Sequence, residues 1–101
     1  MEMTIRSGKM IGGDSEHPAS GVVQIVGNTI NLIDVQISEA PDGRVILAKN
    51  FDNATGIPLG KLKAFTGSHD YSIPKETDVE GYDSVLIWCD QFDVPIGKVM
   101  L

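Results

Sequence analysis

Few residues in this 101-residue chain could carry chemistry, and the sharpest group lies in VLIWCDQFDVPIG, residues 85–97. Cys89 is the only cysteine and directly follows the only tryptophan, Trp88. A cysteine so placed reads in three ways: a redox thiol, a metal ligand, or a small hydrophobe packed in a core. Nucleophilic thiolate is favoured by nearby cations or a helix N-terminus. Residues 70–93 instead offer seven acids (Asp70, Glu76, Asp78, Glu80, Asp83, Asp90, Asp93) and one base, Lys75. With no second cysteine to resolve it, an oxidised Cys89 would need a thiol from another chain. Ligation is less sensitive to the acids, because a bound metal ion can itself deprotonate a thiol. The available second ligands would be His17, His69, Met10 and Met100. The apolar neighbours Val85, Leu86, Ile87 and Trp88 favour packing.

The remaining candidates are weaker. His17 precedes a proline in a polar stretch, and His69 lies in Gly67-Ser68-His69-Asp70, so both read as solvated loop residues. Tyr71 and Tyr82 flank the acidic stretch and read as packed rings with hydrogen-bonded hydroxyls. Glu76, Asp78, Glu80 and Asp83 are spaced like calcium ligands but lack the loop pattern that calcium sites use, and read as a solvated rim. Asn53-Ala54-Thr55 fits an N-glycosylation pattern, meaningful only in a secretory setting. The chain has no C-x-x-C-H attachment motif, zinc-like Cys/His spacing, Ser/His/Asp arrangement, phosphate-binding glycine loop or nucleophile elbow. The expectation is a protein without a metal centre that is not an enzyme.

Composition narrows the rest. Acids outnumber bases 14 to 8, for a formal net charge of -6, and the bases are scattered, which disfavours a nucleic-acid partner. No apolar run approaches the ~18 residues of a membrane span. The opening MEMTIRSGKM lacks a signal peptide's apolar stretch, so the expectation is a cytosolic protein or a trimmed mature domain.

These residues must be positioned by strands. Eleven glycines and five prolines punctuate the chain, and no amphipathic helical pattern survives between them. Val22 to Val26 and Thr29 to Val35 read as a hairpin about Gly27-Asn28. Pro41-Asp42-Gly43 reads as a turn, Arg44 to Ala48 as a strand, and residues 50–58 as a loop. Leu59 to Phe65 is ambiguous. Tyr71 to Pro74 reads as a short strand, residues 75–83 as an acidic connection with one helical turn, and Val85 to Cys89 as the strongest strand. Ile96 to Leu101 closes the chain. The sum is an all-β, single-domain antiparallel sandwich or barrel of seven to eight short strands over residues 1–101. Alternation puts Val85, Ile87 and Cys89 on one face of the strong strand, with Leu86, Trp88 and, if it continues, Phe92 on the other. Both faces are apolar, as in a central, buried strand.

The run from Leu59 to Gly97 resembles the DM-thirteen, or electron-transfer DM, domain family. The shared features are Leu59-Gly60, Leu62-Lys63, Gly67, Tyr71, Ile73-Pro74, Asp78, Tyr82, Ser84-Val85, Ile87-Trp88-Cys89, Phe92 and Gly97. Upstream, His17 and Ser20-Gly21 resemble the family's opening and Ala40-Pro41-Asp42 its Pro-Asp turn, so the likeness spans residues 7 to 101. Gly43, Val35 and Val99 depart from it where leucine, an aromatic and a small residue are usual. The resemblance implies an extracellular or periplasmic, cell-surface β module, secreted or behind a lipoprotein signal. It would be associated with electron transfer to a redox protein or membrane cytochrome. It also implies Cys89 as thiol or haem ligand, with Trp88 walling the site and His17 and His69 as further candidates. The alternative is a structural or adhesion-type module in which Cys89 only packs.

Overall fold

A computed structural model describes residues 5–13, 17–39 and 42–101. It is all-β: two antiparallel sheets face each other across one apolar layer. The strands are β1 (Ile5–Lys9), β2 (Ile11–Gly12), β3 (Ala19–Val26), β4 (Thr29–Ile37), β5 (Gly43–Lys49), β6 (Asp52–Lys61), β7 (Thr66–Ser72), β8 (Ser84–Cys89) and β9 (Val94–Met100). The first sheet runs β1-β3-β4-β7 and the second β2-β9-β8-β5-β6. β1 thus lies in one sheet, and the chain passes through Met10 into β2 of the other.

The described residues hold nine strands rather than seven or eight. The additions are β1 and β2, whose sequence IRSGKMIG is too polar and glycine-rich to announce a strand. The expected loop over 50–58 is also corrected, because residues 52–61 form β6. Asn50 and Phe51 make a two-residue turn with φ 52 and 60, the handedness that tight hairpins require. Their amides are held by Asp83 Oδ1 at 2.6 Å and Ser84 Oγ at 3.1 Å. Pro58 is tolerated because β6 is an edge strand. The Gly27-Asn28 turn forms as expected, with Val26 opposite Thr29 and Gly27 at φ 59. Of the Pro-Asp turn, Ala40 and Pro41 lie outside the described residues; Asp42 has φ 55, and Gly43 begins β5. The acidic connection does carry one turn of 3-10 helix, Val79–Gly81.

Alternation builds the core. Val23, Ile25, Ile30, Leu32, Val35 and Tyr71 from one sheet meet Val45, Leu47, Val85, Ile87, Cys89, Ile96 and Val99 from the other. Each fully buried aliphatic side chain contributes about 1.5–3 kcal/mol relative to exposure. A smaller cluster covers the outer face of the second sheet, where Ile46, Ala48 and Leu86 lie beneath Phe51 and Trp88. Strands β5 and β8 are therefore apolar on both faces, and β8 is the middle strand of its sheet.

Candidate functional site

Cys89 is the last residue of β8 and is 0% exposed. It faces inward with Val85 and Ile87, and its cross-strand neighbours are Gly43 on β5 and Val94 on β9. The next four residues, Asp90 to Asp93, form the exposed β8–β9 turn. One step along the chain therefore passes from the core to solvent. Phe92 does not extend the strand; it sits in this turn, 62% exposed.

Trp88 points to the other face of β8. Its ring lies over the outer cluster, and Nε1 donates to Asp93 Oδ1 at 3.2 Å. Arg44, opposite Trp88 on β5, pairs with Asp90 through Nη2 to Oδ1 at 2.7 Å. These contacts tie down the turn that follows Cys89. Because neighbouring residues of a strand face opposite ways, Trp88 cannot wall a site built on the Cys89 sulfur.

The other proposed ligands are dispersed. Met10 is buried in the same core layer and packs over Gly97, whereas Met100 faces solvent. His17 is half-buried at the end of the β2–β3 connection, and its backbone lies close over Gly12. His69 is not in a loop: it lies in β7, opposite Leu32, half-buried on the inward face. The signal was present in the sequence, since His69, Tyr71 and Ile73 share one period-two face.

The haem that the resemblance implies does not fit at Cys89 in this arrangement. The space over Gly43, beside Cys89, is occupied. A Cβ there would touch Leu62 at 3.5 Å and Ile96 Cδ1 at 3.8 Å, ordinary packing distances. A macrocycle on the sulfur would have to displace both side chains. Among the described residues no group of three or more His, Cys, Asp and Glu is placed to hold a metal ion.

Residues 62–65 cross between the sheets. The Leu62 amide donates to Gly43 O and the Ile37 amide to Phe65 O, each at 2.8 Å. This crossing organises a polar cluster that sequence reading missed. Tyr71 Oη accepts the Lys63 amide at 2.8 Å and lies 2.9 Å from His69 Nδ1. The two rings meet edge-on, with centroids 5.6 Å apart at 83°. Lys63 Nζ sits 5.1 Å from the Tyr71 ring centroid. Burial raises the Tyr71 phenol above its usual value of 10.0, opposed by the hydrogen bond from the Lys63 backbone. An open groove of about 410 Å³ lies on the first sheet, between Ser20, Gln36, Ser38 and Thr66; none of Cys89, Trp88, His17 and His69 lines it.

The fold and this distribution of residues define an antiparallel β-sandwich with one buried thiol at the end of its central strand. A family model described as electron transfer DM13 matches residues 13–101. The chain belongs to that family, whose description associates it with electron transfer. No curated protein and no solved structure matches it. No helix among the described residues is long and apolar enough to cross a membrane.

Proposed function

We propose that this chain is an electron-transfer module working outside the cytoplasm, secreted or attached to the cell envelope, and that Cys89 is its redox residue. The partner would be a redox protein such as a membrane cytochrome. The family match over residues 13–101 supports the redox association. The observation that carries the assignment to Cys89 is its position: the only sulfhydryl of the chain ends the central strand, one residue from a surface turn. The packing around it favours a thiol over a haem ligand. Oxidation would join Cys89 to a thiol of the partner in a mixed disulfide: two S–H bonds break, one S–S bond forms, two protons go to solvent, and two electrons pass one at a time to haem-type acceptors of the cytochrome class.

A specific observation favours a second reading. Cys89 is 0% exposed among apolar side chains, as expected of a residue that only packs in a structural or adhesion-type module. Ellman's reagent on native and unfolded protein separates the two. The redox reading expects the native thiol to react, with slower kinetics than the unfolded chain. A thiol that reacts only after unfolding sinks it. Haemin added to wild type and Cys89→Ala tests the fit argument: a cysteine-dependent Soret band would contradict it.

A further inference from the structure

The cluster on β7 joins a buried phenol to an imidazole. Tyr71 is 4% exposed, and its hydroxyl has one proton to place. The oxygen already accepts the Lys63 amide at 2.8 Å. The phenolic proton needs an acceptor of its own, and His69 Nδ1, at 2.9 Å, supplies one. In that arrangement Nδ1 is the accepting nitrogen and the ring proton lies on Nε2, a buried atom that has no hydrogen-bond partner. The opposite tautomer is worse. It would bury the phenolic proton without an acceptor and still leave Nε2 unpartnered.

We propose that Tyr71 and His69 form a proton-coupled redox pair, in which a one-electron oxidant takes an electron from the phenol as its proton crosses to His69 Nδ1. The Tyr71 O–H bond breaks and an N–H bond forms. The products are a neutral tyrosyl radical, an imidazolium and an oxidant reduced by one electron. The oxidant belongs to the class of high-potential metal centres and organic radicals. Re-reduction returns the electron to the ring and the proton to the oxygen. The ammonium of Lys63, 5.1 Å from the ring centroid, opposes positive charge on the ring, so electron and proton leave together. A phenol is protonated at neutral pH, so the proton is there to move. Tyr82 also has a lysine over its ring, Lys49 at 5.1 Å, which makes it the control residue for the test below.

This inference rests on the electron-transfer reading but not on Cys89, and its test keeps the two apart. The full chain is oxidised with flash-generated tris(bipyridine)ruthenium(III) and followed by electron paramagnetic resonance and transient absorption. Wild type, Tyr82→Phe and Cys89→Ala should all give a tyrosyl radical, formed more slowly in deuterium oxide. Tyr71→Phe should lose the signal. His69→Leu should form the radical at least roughly tenfold more slowly, since a positioned proton acceptor contributes about 10²–10⁴-fold. A radical that survives Tyr71→Phe, or forms in wild type with no solvent isotope effect, overturns the proposal. So does an unchanged rate in a His69→Leu variant shown by circular dichroism to be folded. The isotope effect needs no variant, so the test holds even if a substitution prevents folding. A Cys89 that proves inert leaves this pair untouched, and a silent Tyr71 leaves Cys89 untouched.

Discussion

Cys89 and Tyr71 are both buried and both oxidisable, yet the molecule holds them in opposite ways. Cys89 is placed by the period of a strand: it follows Val85 and Ile87 down the inner face of β8 and is surrounded by aliphatic side chains from both sheets. Tyr71 is placed by hydrogen bonds. It sits on an edge strand, and its hydroxyl joins His69 to the backbone of the segment that crosses between the sheets. The first environment excludes water and resists change of volume. The second orients one proton. Access limits chemistry at Cys89, whereas the direction of a single hydrogen bond governs it at Tyr71.

Substitutions can break or sharpen this contrast. The largest effect is expected at Ile87→Ala, which opens a cavity beside Cys89 and should cost about 2–5 kcal/mol in urea unfolding. It should also speed the reaction of Ellman's reagent with Cys89. Loss of stability with unchanged thiol reactivity would show that packing at Ile87 does not control access. Next is Tyr71→Phe, which leaves the Lys63 amide and His69 Nδ1 without their shared partner. It should cost about 1–3 kcal/mol, measured the same way. Cys89→Ala should cost less, about 1 kcal/mol, on the scale of losing one methyl-sized group from a core.

A pH titration reads the same contrast through ionisation. Burial raises the folded-state value of Tyr71 above 10.0, its value when exposed. Between those two values the unfolded chain loses a proton that the folded chain retains, so stability falls as pH rises through that window. It is full below the unfolded value. Absorbance of ionised tyrosine should show a phase above pH 10 that disappears in Tyr71→Phe, and a titration of wild type without that late phase would contradict the burial argument. The smallest effect is expected at the surface. Arg44→Gln removes an ion pair with Asp90 that is more than a third exposed on each side, and should cost about 0.2–1 kcal/mol, less in high salt.

The sequence was most legible where one signal acted alone. Val85 to Cys89 is an unbroken apolar run, the mark of a strand buried on both faces, and it became the central strand with its faces as assigned. Legibility failed at edges. Residues 52–61 and His69 carry the glycines, prolines and small polar residues that mark turns in isolation. They form strands because a neighbour supplies the hydrogen-bond ladder and an edge tolerates a missing donor. The same failure hid the polar cluster. Gly67-Ser68-His69-Asp70 reads as a turn by composition, which masked the period-two face that His69 shares with Tyr71 and Ile73; pairing with β4 forms the strand and turns His69 inward against Tyr71. The hydrogen bond from Lys63 depends on how residues 62–65 cross between sheets, which no local pattern encodes.

Protein-film voltammetry on wild type and Cys89→Ala tests the central claim most directly, namely that this module exchanges electrons through its one thiol. With glutathione supplied as the partner thiol, the account predicts a two-electron, proton-coupled thiol–disulfide wave in wild type that is missing from a folded Cys89→Ala. Voltammograms that are the same for the two proteins would contradict it.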